Sequence, residues 1–458
     1  MSCSISAIVT KQRYFFNTGQ TIPTSFRIEM LTKLKKAIVN NQDKIIEALK
    51  LDLGKSEVEA YMTEIGMTLS ELNYMLKNVK KLTKPVKAKT PLAQFHSKSY
   101  TIANPYGNVL IISPWNYPFL LTMDPLIASI AAGNTAIVKP SAYAPNTANV
   151  IKEILDSCYI EEYIKTVLGG REENKELLQE KFDFIFFTGS GEVGKYVLEH
   201  AAKHLTPCVL ELGGKSPVIV DETANIKLAA RRIVFGKIIN SGQTCVAPDY
   251  IFCDERIKDV LVKEIIKELK LQSGEKPLEN ANYPRIVNKK HFDRLVGLID
   301  KEKVVYGGSY NEETLQIEPT VLDNVTFGDK VMLEEIFGPV LPIITFQKFM
   351  EVYEELKELP KPLALYFFST DKTRIDFVIK RMRYGGGCIN DTLIHLATTN
   401  MPFGGVGESG MGSYHGKNGF YAFSHVKSIV DKKNWIDLTL RYQPYTKQKE
   451  KLIKKFLK

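Results

Sequence analysis

The chain has 458 residues, 44% of them hydrophobic and 25% charged. That length allows about two to three domains and enough buried surface to need no disulfide or metal staple, and the composition excludes low-complexity and solenoid chains. The net charge is +9, but there is no zinc finger, no RNP-type aromatic motif and no basic helix within the body of the chain, so no nucleic-acid partner is expected.

In chain order, the first 80 residues read as helices. "SFRIEMLTKLKKAIVNNQDKIIEALKLDLG" repeats apolar residues at three- and four-residue spacing and stops at Gly54. "SEVEAYMTEIGMTLSELNYMLKNVKKL" follows, opened by a Ser56 cap and closed before Pro85. Residues 85–104 change to short extended pieces and read as an arm. Residues 117–138 are the most apolar stretch, but Pro118, Asp124, Pro125 and Asn134 interrupt them, so no spanning helix is expected there.

An α/β rhythm starts at "GNVLIIS" (107–113), a continuous apolar run suited to a strand buried on both faces. Strands "NTAIVKPS", "YIKTVLGG", "FDFIFFTGS" and "PCVLELGG" alternate with helices, and a second series runs from Lys215 through "SPVIVDE", "DYIFCDE", "GPVLPIITF" and "LALYFFS". Alternation of this kind predicts an α/β fold with doubly wound parallel sheets. The region after Gly385 is rich in glycine: "GGGCIND" and "PFGGVGESGMG".

"TGSGEVGKY" (188–196) lies between a strand and a helix. Gly189, Gly191 and Gly194 match the G-x-G-x-x-G dinucleotide pattern, because exposed N–H groups at a helix start favour phosphate. A P-loop reading fails at Tyr196, where a Ser or Thr hydroxyl is required. Glu211, about 20 residues further on, suits either a ribose ligand or a base, and spacing does not choose. His200 and His204 are four apart on a helix, but no third ligand accompanies them, so a solvated face is expected and no metal. "NSGQTCVA" (240–247) sets Cys245 between small and polar residues, as a nucleophile or as the filler of a turn.

The six cysteines (Cys3, Cys158, Cys208, Cys245, Cys253, Cys388) form no CxxC pair, which predicts a reducing compartment. With no basic start and no long apolar core at the N-terminus, a signal peptide is not expected, and a cytoplasmic location is. The tail "KQKEKLIKKFLK" (447–458) holds six lysines, with Leu452, Ile453, Phe456 and Leu457 on one helical face. It reads as a solvated terminus or as a weak peripheral contact with an anionic membrane.

The motifs "PWNYP" (114–118), "KPS" (139–141), "FTGSGEVGK" (187–195), "LELGGKSP" (210–217), "GQTCVAP" (242–248), "EEIFGP" (334–339) and "PFGGVGESGMG" (402–412) occur together and in order. Together they resemble the aldehyde dehydrogenase superfamily across nearly the whole chain. The length and "SGMGSYHGKNGFYAFSH" resemble its class 3 type, without an apolar C-terminal anchor. The resemblance implies a Rossmann-like dinucleotide-binding domain (1–84 and 105–210), a catalytic domain (211–415), an oligomerisation arm (85–104 and 416–440) that makes a homodimer, and a basic tail (441–458).

It also implies NAD- or NADP-dependent oxidation of an aldehyde to its acid. Cys245 would be the nucleophile, Glu211 the base of deacylation, and Asn116 with the Cys245 N–H the oxyanion donors. Lys139 would hold the adenosine ribose; Gly189, Ser190 and Gly194 would admit the pyrophosphate; Glu335 would bind the nicotinamide ribose and Phe337 would lie against the ring. Class 3 relatives often carry Glu at the position of Ala142. An alanine there does not repel a 2′-phosphate, so NADP should be tolerated. Tyr117, Leu120 and Leu121 suggest a greasy tunnel for medium or long aliphatic, or aromatic, aldehydes. A CoA-acylating enzyme and a Cys-dependent hydrolase are the competing readings.

Overall fold

The computed structural model describes residues 4–456. Cys3 and Leu457 lie outside the described residues. The N-terminal layer is helical: Ile5–Asn17, Thr24–Asn40, Gln42–Leu53, Glu57–Ala60 and Gly66–Leu82, with a π turn at Tyr61–Ile65. The apolar run expected as one helix up to Gly54 is two. Asn41 leaves helical geometry (φ −117°, ψ 20°), and its side-chain amide donates to the Ala37 carbonyl at 2.8 Å. An Asn side chain that competes for backbone groups in this way breaks a helix whose apolar spacing continues. Ser56 caps the next helix as expected, accepting from Glu59 N at 3.2 Å.

Two sheets form the body. The first has six strands in the order Gly410–Met411, Cys208–Glu211, Phe184–Thr188, Asn108–Ile112, Thr135–Lys139 and Ile164–Thr166. All neighbours are parallel except the first pair. Asn108–Ile112, Thr135–Lys139 and Phe184–Thr188 are buried at every position, because helices cover both faces. Strand order reverses between Asn108–Ile112 and Phe184–Thr188, so their carboxyl ends open a crevice of the kind in which α/β folds bind ligands.

The second sheet has seven strands: Val304–Tyr306, Thr320–Leu322, Val340–Phe346, Tyr250–Asp254, Pro217–Val220, Ala364–Phe368 and Gly386–Ile389. It is parallel except at the Val304–Tyr306 edge. The chain returns to the first sheet at Gly410, which pairs with Glu211. The arm is a three-stranded antiparallel sheet of Val86–Ala88, Ser97–Pro105 and Ser424–Lys432, with register from Ser424 opposite Pro105 to Lys432 opposite Ser97. The helix Lys447–Phe456 follows on the surface. Among the described residues no helix is long and apolar enough to cross a membrane.

Candidate active site

Cys245 follows a loop in which three successive residues are left-handed: Asn240 (φ 51°), Ser241 (φ 53°) and Gly242 (φ 72°). Two of the three are not glycine, so the surroundings must hold the turn. Gln243 does much of this. Its side-chain amide donates to the carbonyls of Asn240 and Arg285, each at 3.0 Å, and its Oε1 accepts from Val287 N at 3.0 Å. At Gly242 a Cβ would lie 2.3 Å from the Gly338 carbonyl oxygen, so only glycine lets this loop touch the segment that follows Glu335. Tyr366 donates its hydroxyl to the Val246 carbonyl at 2.6 Å, just beyond the cysteine.

Asn116 sits opposite, buried, in the turn after the Asn108–Ile112 strand. Its Nδ2 donates to the Gln243 carbonyl at 3.0 Å, and its own carbonyl accepts from Lys55 Nζ at 3.1 Å and Asn240 Nδ2 at 2.8 Å. Lys55 is fully buried and pairs with Glu64 at 2.5 Å; Glu64 also accepts the amides of Phe119 and Leu120. The Lys55 ammonium lies 3.9 Å from the Tyr117 ring centre, and the Tyr117 hydroxyl is hydrogen-bonded to Thr244 at 2.7 Å. A layer of polar groups thus ties the N-terminal helices, the "PWNYP" turn and the cysteine loop together. Nothing in the sequence marks Lys55 or Glu64 as buried.

Glu211 ends the Cys208–Glu211 strand, is buried, and has no hydrogen-bond partner for either carboxyl oxygen. Burial pushes its pKa well above the usual carboxylate range. Burial also raises the Cys245 pKa, and the neighbouring charges of Glu335 and Glu211 push it in the same direction, while the backbone N–H groups of Cys245 and Val246 oppose them. These influences favour the thiol over the thiolate, so Cys245 needs a proton acceptor to react.

Glu335 is itself raised to about 8, by burial and by Asp249, against the Gly214 amide, Lys215 and Arg294. Its loop is clamped on three sides. Lys215 pairs with Asp249 at 2.5 Å and donates to the Glu334 carbonyl at 2.8 Å; Asp249 accepts Ile336 N at 2.9 Å; Arg294 donates to the Ile336 carbonyl at 2.6 Å. Phe337 takes a left-handed conformation (φ 51°) and meets Trp115 edge-on at 5.4 Å. Lys215, Asp249, Arg294 and Trp115 are supports that sequence reasoning missed, although Lys215, Asp249 and Trp115 lie in or beside the quoted motifs.

The glycine loop opens the helix Gly191–Ala202. Ser190 caps it, accepting from Val193 N. A Cβ on Gly191 would meet open space, whereas one on Gly194 would lie 2.7 Å from Leu212 Cδ2. Gly194 therefore brings the helix close onto the strand end, and any phosphate would meet the N–H groups at its start. Lys139, at the end of its strand, is buried and lowered to about 8 by burial, against the raising effect of Glu173. It donates to the carbonyls of Pro140 and Gly169 at 3.0 and 2.7 Å, which leaves one ammonium hydrogen for a ligand. Ala142, three residues further on, is exposed. A spare lysine donor, a capped helix start and an orphaned buried carboxyl along one crevice fit a nicotinamide dinucleotide. His200 uses Nδ1 on the Tyr196 carbonyl and His204 is exposed. Among the described residues no group of side chains could hold a metal ion.

Comparison with known proteins decides the family: the model of the aldehyde dehydrogenase family matches residues 4–429. The chain belongs to the aldehyde dehydrogenase family. It is 51% identical to a 4,4′-diaponeurosporen-aldehyde dehydrogenase of Staphylococcus aureus, over 97% of both chains. It is 43% identical to the dimeric NADP-preferring aldehyde dehydrogenase of the dog, over 96% of this chain and 98% of that one. A solved structure of the substrate-bound state of Staphylococcus aureus AldH superposes with a TM-score of 0.98 at 49% identity, covering 100% of each chain. The chain is thus an NAD(P)-dependent oxidoreductase of aldehydes, and the fold and class 3 resemblance expected from sequence are borne out.

Proposed function

We propose that this dehydrogenase oxidises medium or long aliphatic, or aromatic, aldehydes to carboxylic acids through a thioester on Cys245. The observation that carries this reading is the placing of Cys245 within the electrostatic reach of Glu211, whose two carboxyl oxygens are buried and unpartnered. A buried group with no partner is costly unless a reactant uses it.

Lys139 would hold the adenosine ribose, the helix start around Gly189, Ser190 and Gly194 the pyrophosphate, Glu335 the nicotinamide ribose, and Phe337 the ring region. Bound NAD(P)+ supplies the hydride acceptor. Cys245 releases its proton to water, and its sulfur attacks the aldehyde carbon. Asn116 Nδ2 and the Cys245 N–H then donate to the oxyanion; loss of one such donor costs roughly 10²–10³ in turnover. After hydride loss the carbon is a thioester. Glu211 takes a proton from water, hydroxide adds to the thioester, and the acid leaves as the Cys245 thiolate is restored.

The Staphylococcus aureus relative is named for 4,4′-diaponeurosporen-aldehyde, and the side chains of Tyr117, Leu120 and Leu121 support an apolar tunnel for such a substrate class. The exposed Ala142 supports use of NADP beside NAD. The outer edge of the strand Ser424–Lys432 is unpaired, which suits pairing with a second copy of the chain. On this reading residues 1–84 and 105–210 bind cofactor, 211–415 carry the chemistry, and 85–104 with 416–440 form the arm. Five free cysteines among the described residues support a reducing, cytoplasmic setting, and the basic tail supports weak membrane contact.

The test is formation of reduced cofactor from decanal and benzaldehyde, with and without CoA, by wild type and Cys245→Ala. CoA-independent reduction that disappears in the variant is expected. Reduction only with CoA would favour the acylating reading and take the base role from Glu211.

A further inference from the structure

The net positive charge of this protein comes from one region. Residues 84–98 and 424–458 carry fourteen lysines and arginines against three carboxylates, a surplus of eleven, while the whole chain has a net charge of +9. The rest of the molecule is therefore slightly acidic. The first segment meets residues 432–435 of the second in the fold, and the tail helix is tied to the chain that follows them by Lys449 Nζ, which donates to the Tyr442 and Pro444 carbonyls at 3.0 and 3.1 Å. The Lys433 amide donates to the His96 carbonyl at 3.1 Å, Lys432 Nζ donates to the Phe95 carbonyl at 2.7 Å, and the Trp435 ring lies 5.7 Å from His96. Large apolar side chains stand out among the lysines: Leu92 and Trp435 are each 71% exposed, and Val86, Phe95, Tyr445 and Leu452 are exposed as well.

We propose that the tip of the arm and the tail helix form one docking surface for an anionic lipid bilayer, with Leu92 and Trp435 entering the head-group boundary. This rests on the reading that the tail meets a membrane, and extends it to the arm. Three features favour lipid over nucleic acid. Thirteen of the fourteen cations are lysines, point charges that lack the planar fork of arginine. The exposed apolar groups include aliphatic Leu92, Val86 and Leu452, which cannot stack on bases. A tryptophan among lysines beside an amphipathic helix matches the chemistry of a membrane interface, where each lysine near an anionic surface adds attraction. A surface that brings the enzyme to a bilayer also brings it to apolar aldehydes dissolved there.

Trp435 and Trp115 are the two tryptophans of the chain, which makes the test direct. The full-length enzyme is mixed with phosphatidylcholine vesicles with or without phosphatidylglycerol, using brominated acyl chains as quenchers. Co-sedimentation with the anionic vesicles, and quenching that is lost in Trp435→Phe, are expected. A Leu92→Ser/Trp435→Ser double variant should bind at least about tenfold more weakly, with unchanged turnover of a water-soluble aldehyde. Binding that is lost when 447–458 are removed, but without quenching of Trp435 in the full chain, would overturn the proposal and leave the tail reading standing. Absence of binding to any vesicle would overturn both. Tighter binding to single-stranded DNA than to anionic vesicles would overturn the proposal in favour of a nucleic-acid surface.

Discussion

Gly213 and Glu335 are in van der Waals conflict with any larger residue at 213: a Cβ there would lie 2.1 Å from Glu335 Oε2. The missing side chain is what lets the carboxyl lie across the "LGGK" backbone. In Gly213→Ala the carboxyl is displaced. The KM for NAD(P)+ is expected to rise about tenfold, with a smaller change for aldehyde. Steady-state kinetics with the cofactor varied check this, and an unchanged cofactor KM would separate Glu335 from the cofactor.

Glu211→Gln should keep the first half of the reaction and lose the second. The expected result is a burst of reduced cofactor of about one equivalent per active site, followed by turnover lowered roughly 10²–10⁴-fold. Stopped-flow absorbance reads both phases. Loss of the burst itself would assign Glu211 to activation of Cys245 instead.

The ionisation of Glu335 couples to stability. Burial first, then the Asp249 charge, raises it from 4.5 to about 8. A carboxyl raised on folding binds its proton more tightly in the folded state. That stabilisation is complete below the unfolded value and is lost as pH rises through the folded one. The Tm of the cofactor-free enzyme is therefore expected to fall between pH 4.5 and about 8. Glu335→Gln should flatten part of this decline, and Glu211, Glu59 and Asp124, also raised chiefly by burial, should account for more. A scan of Tm against pH for wild type and variant decides it.

Lys55 and Glu64 are both fully buried at 2.5 Å. Removal of the cation in Lys55→Met strands a carboxylate, at an expected cost of about 3–5 kcal/mol in stability. Because Lys55 also holds the Asn116 carbonyl, kcat should fall as well. Lys55→Met/Glu64→Gln should recover much of the stability but little of the kcat. Denaturant titration and kinetics on the same samples separate the two effects.

Ala142→Glu puts a carboxylate beside Lys139. The ratio of kcat/KM for NADP to that for NAD should drop by about tenfold or more. No change in the ratio would place the 2′-phosphate elsewhere.

Sequence showed the sheets, the glycine loop and the Cys245 loop because each depends on local pattern: unbroken apolar strands, glycines at a helix start, a cysteine between small residues. It did not show the break at Asn41, where a side chain competes with the backbone while the apolar spacing runs on. Nor did it show the layer of Lys55, Glu64, Asn240 and Gln243. Charged and amide side chains read as surface in a linear chain, and only tertiary packing brings them together as mutual partners. Gly194 illustrates the same limit. Its place in the pattern was legible, but its inward turn onto Leu212 was not.

The contact between Gly242 and the Gly338 carbonyl has a practical meaning for redesign. It joins the cysteine loop to the Glu335 loop, so a displacement of one disturbs the other, with Leu295 packed behind Gly338. Redesign of the aldehyde site should therefore leave Gly242, Gly338 and Leu295 unchanged.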